Sequence, residues 1–222
     1  YAYRLAIPLF AVVMFLTLFW LSRAVRRFIQ KPWKLSYTAN SFCQVMQALY
    51  ISVCLVSLLP LQCYAHPNGR MSLSTFPNII CGDGDHLPFL SVGLLGTAVY
   101  MVGFFAFCMY ANCVAPTRSN ESPLFTEYFR FLFYRFRVDR WYWGTVLLIR
   151  SLLMSLVPVV LSDSPSEQLV AFSAIVVTFL ILHCRYMPYK AQMLNFADTA
   201  VLGMLSLIAT TAAVQTPATE KA

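Results

Sequence analysis

Six long apolar runs, each bounded by charge, proline or a polar cluster, constrain this chain more than any other feature. They fall at about 5–21, 42–61, 88–114, 143–161, 168–187 and 194–214. A helix needs roughly 20 apolar residues to cross the hydrocarbon layer of a bilayer, whereas a helix on a soluble domain needs only one apolar stripe. Charge supports the membrane reading. Only 11% of the 222 residues are charged, against about 25% in a soluble domain, too few to cover a water-facing surface. The strict polar and apolar alternation of a membrane barrel is missing. The expected fold is therefore all-α, an integral membrane bundle of about six transmembrane helices. A single transmembrane domain fills 1–222, with no room for a separate soluble catalytic domain. The chain opens Tyr1-Ala2-Tyr3 without a recognisable signal peptide, and reads as a piece of a longer protein.

Positive loops are retained on the cytoplasmic side of a membrane. Loop 22–41 carries Arg23, Arg26, Arg27, Lys31 and Lys34; loop 115–142 carries Arg118, Arg130, Arg135, Arg137 and Arg140; loop 185–194 carries Arg185 and Lys190. The opposite side, with both ends, has only Arg4, Arg70 and Lys221, while Arg150 falls inside a span. The expectation is that loops 22–41, 115–142 and 185–194 face the cytoplasmic-equivalent side, in the plasma membrane or an endomembrane or organelle. The net charge of +7 is then topological. No RNA or DNA motif accompanies it, so no nucleic-acid partner is expected.

The external loop 62–87 holds Cys63 and Cys81 on either side of a stretch with Pro, Gly and Asn. An oxidising compartment favours their pairing as a disulfide; two free thiols are the alternative. The other cysteines lie in or near spans without CxxC spacing, so no metal site is expected from them. His66 and His86, beside Asp83 and Asp85, offer a divalent-cation set with carboxylate help. Asn120-Glu121-Ser122 fits a glycosylation pattern, but Pro123 follows and the charge count places it in the cytoplasm, so the match is read as accidental.

The loop 115–142 interleaves aromatic rings with arginines, the composition of a membrane interface. At 100° per residue, Arg130, Arg137 and Arg140 fall within about an 80° arc of a helix. An interfacial amphipathic helix, anchored by Trp141 and Trp143, is expected to lie along the leaflet ahead of the fourth span. Its two readings are a lever or lipid-sensing element and a passive anchor.

Arg150 lies about 10 Å along that span from Trp143, where a guanidinium needs a partner or a polar cavity. Asp198 is the only acidic residue inside a span and enters from the same side. A buried Arg150–Asp198 ion pair is expected, with Asn195 and Tyr189 extending it; a structural tie is favoured over a ligand-responsive element. His183 is the one histidine within a helix and the sole candidate for binding a haem or chlorophyll, although such a histidine is more often hydrogen-bonded in the bundle. No cofactor is predicted; bound lipids are. The sequence holds no GxSxG, HExxH or phosphate-cradling loop and no carboxylate pair in a span, so catalysis is not expected. Gly93, Gly96 and Gly103 read as small surfaces for close helix packing.

These features come in an informative order. Leu61-Gln62-Cys63 and Ile79-Ile80-Cys81 frame the external loop; Phe129 to Tyr134 and Trp141-Tyr142-Trp143 lead into Leu148-Ile149-Arg150; Tyr186-Met187-Pro188-Tyr189 and Asn195 follow. Over roughly 42–214 the chain resembles the C-terminal membrane region of large protist and algal proteins with cysteine-rich extracellular repeats, which is similar to transient-receptor-potential-like membrane domains. The resemblance implies a channel-like or sensor-like membrane domain. A channel of that type carries a pore loop between its last two spans. Here that linker is short and begins at Arg185, so anchoring an extracellular assembly is the function left if the domain does not conduct. The second reading is a non-catalytic accessory subunit of a larger membrane complex, energy-converting or photosynthetic, whose surfaces meet neighbouring subunits, lipids or pigments. Self-association or other membrane subunits are the expected protein partners.

Overall fold

The computed structural model describes residues 5–24, 34–162 and 164–215. The helices are α1 (Ile7–Ala24), α2 (Leu35–Leu58), α3 (His86–Gly96), α4 (Phe104–Glu121), α5 (Pro123–Tyr128), α6 (Arg130–Phe133), α7 (Trp143–Val160), α8 (Pro165–Tyr186) and α9 (Gln192–Gln215). A π-helical turn, Thr97–Gly103, joins α3 to α4 into one span. Among the described residues, six helical spans are long and apolar enough to cross a membrane, so the chain is an all-α, multi-pass membrane bundle. Their outer faces expose large apolar side chains such as Phe10, Trp20 and Ile208, as lipid contact requires.

The second span begins at Leu35, seven residues before the apolar run. Polar side chains there find partners instead of ending the helix. Ser36 Oγ donates to Glu127 Oε2 at 2.7 Å, and Asn40 Oδ1 accepts the Phe131 N–H at 2.7 Å. In the middle of the bundle, Tyr50, Cys54, Cys108, Leu132 and Leu148 form a core that joins α2, α4, α6 and α7. The Tyr50 hydroxyl donates to the Met101 carbonyl inside the π turn, at 2.8 Å. Small residues allow the close approaches. A Cβ on Gly144 would lie 2.7 Å from the Leu132 carbonyl oxygen, and one on Gly96 would lie 3.0 Å from Ser57 Oγ. Met154, Val176 and Leu202 form a second cluster, holding α7, α8 and α9 together.

The expected interfacial helix is broken. The linker runs as α5, α6 and a 3-10 turn at Val138–Arg140, with backbone turns between. Tertiary demands override the helical period here. Phe131, Leu132 and Phe136 are all buried, although on a straight helix they would spread over an arc of about 140°. The backbone at 135–137 also bonds across to the α8–α9 linker: Arg137 N–H donates to Pro188 O at 2.9 Å and Lys190 N–H to Arg135 O at 3.1 Å. The three arginines therefore share no helical arc. Arg130 lies over the Tyr134 ring, Arg137 pairs with Asp139, and Arg140 lies over Tyr186. Trp143 is buried at the start of α7, while Trp141 packs beside Phe133.

The described residues of the three basic linkers meet at one end of the bundle. Lys34 pairs with Glu127 at 3.4 Å, and Phe136 bridges Tyr189. Arg4, Arg26, Arg27, Lys31 and Lys221 of the charge count lie outside the described residues. At the opposite end, β1 (Cys63–Ala65) and β2 (Met71–Leu73) form an antiparallel hairpin with Cys63 opposite Leu73. Gly69, at φ 77°, supplies the left-handed residue of its turn. The expected disulfide between Cys63 and Cys81 is present. The two histidines of this loop each bond within the fold. His66 Nε2 bonds Ser72 Oγ at 2.7 Å, whereas His86 Nε2–H donates to Pro60 O at 2.9 Å and its Nδ1 accepts from Gly82 N–H. Both ring nitrogens of His86 are thus occupied within the fold.

Candidate functional site

The basic end of the bundle holds a group of polar side chains inside the apolar layer. It begins where α8 stops. Met187, in the left-handed conformation at φ 40°, donates its N–H to His183 O at 2.8 Å and closes the helix. Pro188 follows and cannot continue it. The chain then returns within five residues into α9, so His183 on one helix faces Asn195 and Asp198 on the next.

Asn195 is buried and fixes this return. Its Oδ1 accepts the Tyr189 N–H and its Nδ2 donates to the Tyr189 carbonyl, each at 3.0 Å. His183, also buried, donates Nε2–H to the Asn195 carbonyl at 3.3 Å. Because a carbonyl only accepts, this bond assigns the hydrogen to Nε2. The other ring nitrogen, Nδ1, lies 3.1 Å from Asp198 Oδ2. The contact is an ion-pair distance rather than an aligned hydrogen bond, since Asp198 Oδ2 has no hydrogen-bond partner among the described residues.

Asp198 therefore pairs with His183 and not with Arg150, which corrects the expected buried pair. The α8–α9 return sets this outcome by placing the imidazole against the first turns of α9. Arg150 and Asp198 do line one cavity of about 370 Å³ between α2, α7 and α9, together with Arg135, Gln44, Gln47 and Ser151. Arg150 forms no hydrogen bond or ion pair among the described residues. Arg135 donates to Gln47 Oε1 at 3.0 Å and lies over the Phe136 ring. Tyr189 reports the local field: burial pushes its phenol up, the Asp198 charge adds to that, and Arg135 and Arg150 oppose it.

Aromatic rings wall the cluster. Tyr189 stacks on Phe136 with centroids 5.2 Å apart and lies 5.7 Å from His183, while Trp143 lies 6.3 Å from His183. His183 is thus surrounded by protein groups, with Nε2 on the Asn195 carbonyl and Nδ1 beside the Asp198 carboxylate. Sequence reasoning found Arg150, Asp198, His183, Tyr189 and Asn195 but missed Gln44, Gln47 and Arg135. The signal for the glutamines was their i, i+3 spacing, which puts two amides on one face of the second span. No protein family, curated protein or solved structure matches the chain.

Proposed function

We propose that the chain is a channel-like or sensor-like membrane domain without catalytic activity, which anchors an extracellular assembly through the disulfide-closed loop at 62–87. The carrying observation is the intramembrane cavity that joins Arg150 and Arg135 to the His183–Asp198 pair. Ionisable groups at such depth are costly and mark ligand or ion sites by default. The broken aromatic linker is the part that would convert a change at the cavity into movement. Its Phe136 and Arg137 are tied by backbone bonds to the α8–α9 return that carries Tyr189. The positive-loop count orients this end toward the cytoplasm.

Native mass spectrometry of the protein extracted gently from its own membrane tests the reading. A homo-oligomer of about three to five copies, closed by cyclic symmetry, is expected, without pigment. It would be followed by electrical recording in planar bilayers. One copy within a large hetero-complex that retains chromophores overturns the proposal and makes the chain an accessory subunit.

A further inference from the structure

Arg150 is a permanent cation in an apolar span, and within the described chain nothing neutralises it. The one carboxylate in the same cavity, Asp198, is engaged by His183. A second guanidinium, Arg135, reaches the same cavity and is held in place by Gln47 and the Phe136 ring. A cavity with two guanidiniums and one engaged carboxylate has the chemistry of an anion site, because guanidiniums bind phosphate with charge-assisted, bidentate hydrogen bonds. Beyond Gln44 and Ser151, the rest of its lining is apolar, including Ile51, Met154, Val201 and Leu205. Val201 and Leu205 line the cavity and are also exposed along α9, so the cavity has an accessible apolar edge on that helix.

We propose that this cavity binds a phosphate-bearing anionic lipid, its phosphate on Arg150 and Arg135 and an acyl chain along the α2 and α9 walls. This deepens the sensor-like reading and rests on it for its consequence, since a bound lipid would sit against the elements that carry Tyr189 and Phe136. Free inorganic phosphate shares the headgroup chemistry. It has no use for the apolar walls or the accessible apolar edge.

The test uses the whole protein in nanodiscs of phosphatidylcholine, with or without a minority of phosphatidic acid, and reads retained lipid by native mass spectrometry. Wild type is expected to retain one phosphatidic acid per chain in preference to phosphatidylcholine. Arg150→Gln is expected to reduce that retention about tenfold, the effect of losing one charge-assisted contact. Ala48→Trp, at an exposed position that lines the cavity, fills the space while keeping every charge, and is expected to reduce retention as well. Arg70→Gln, in the distant hairpin, is expected to have no effect. Equal retention by wild type and both cavity variants, or equal retention of the two lipids, overturns the proposal. Displacement of the lipid by excess inorganic phosphate overturns the lipid as the source and makes this a soluble-anion site. Specific lipid retention by a single copy in a hetero-complex leaves this site standing and removes the sensor-like reading; a pigment-free homo-oligomer without lipid selectivity does the reverse.

Discussion

Asp198 illustrates how much a single residue's partner depends on chain return rather than on helix depth. Arg150 and Asp198 enter the bundle from the same end, yet the five-residue link between α8 and α9 brings His183 to 3.1 Å from the carboxylate first. The Asn195 carbonyl holds the imidazole by its Nε2–H, so the ring cannot turn away without giving up a buried hydrogen bond. Removing either member of a close, buried pair leaves the other unsatisfied, which makes the two losses overlap. A double-mutant cycle on His183→Ala and Asp198→Ala, followed by denaturation in detergent micelles, is expected to give a coupling of about 1–3 kcal/mol. The matching cycle on Arg150→Ala and Asp198→Ala is expected to give a clearly smaller coupling, since these two share only the cavity. A larger coupling for the second cycle would put the carboxylate back with the guanidinium.

Among the elements, the long spans were legible because continuous apolar runs leave a helix in lipid as the only way to satisfy the backbone. The disulfide was legible because two cysteines flanked one loop on the side expected to be oxidising. The linker was not. Its arginine spacing suited a helix, while the burial of Phe131, Leu132 and Phe136 and the cross-link to Pro188 and Lys190 are tertiary facts that no local period encodes. Gly144 was equally hidden, since only the presence of the Leu132 carbonyl explains why a larger residue would clash there. The way α5 docks on α2 yields a pH prediction. Ser36 Oγ donates to the Glu127 carboxylate, and this bond, more than Lys34, holds the Glu127 pKa below the ordinary carboxylate range. A carboxyl with a lowered folded pKa stabilises the docked state above its unfolded pKa and loses that contribution as pH falls through the folded value. Carboxyl-carbon NMR is expected to show Ser36→Ala raising the Glu127 titration more than Lys34→Gln does. Hydrogen exchange across 123–134 should increase as the pH falls through the Glu127 midpoint. A larger response to Lys34→Gln would make the ion pair, not the hydroxyl, the controlling contact.

For the whole molecule, the fold divides the chemistry between two ends. The start of α2 and the linkers 115–142 and 185–194 come together at one end through Lys34–Glu127 and Phe136–Tyr189, and that end carries the charged cavity. The other end carries the hairpin, the disulfide and His86 locked onto Pro60. Helix packing alone is indifferent to which end faces which compartment, because turning the bundle over changes no internal contact. Lys and Arg break that symmetry, since they are retained on the cytoplasmic side. On the proposed orientation the Cys63–Cys81 pair faces an oxidising compartment, where disulfides persist. Intact cells or sealed vesicles of known sidedness, treated with a reductant and a membrane-impermeant maleimide, are expected to label Cys63 and Cys81 from the exoplasmic face. The label should vanish in the Cys63→Ser, Cys81→Ser variant, which is also expected to lose about 3 kcal/mol of stability on the chain-entropy estimate for an 18-residue separation. A cysteine placed at Val138, fully accessible in the basic linker, should label only after permeabilisation. The reverse pattern would turn the bundle over and put the arginine cavity at the exoplasmic leaflet. On the six spans described, residues 63 and 138 are separated by the single α3–α4 span, so the two labels must fall on opposite sides; labelling of both from one face would mean that this span does not cross.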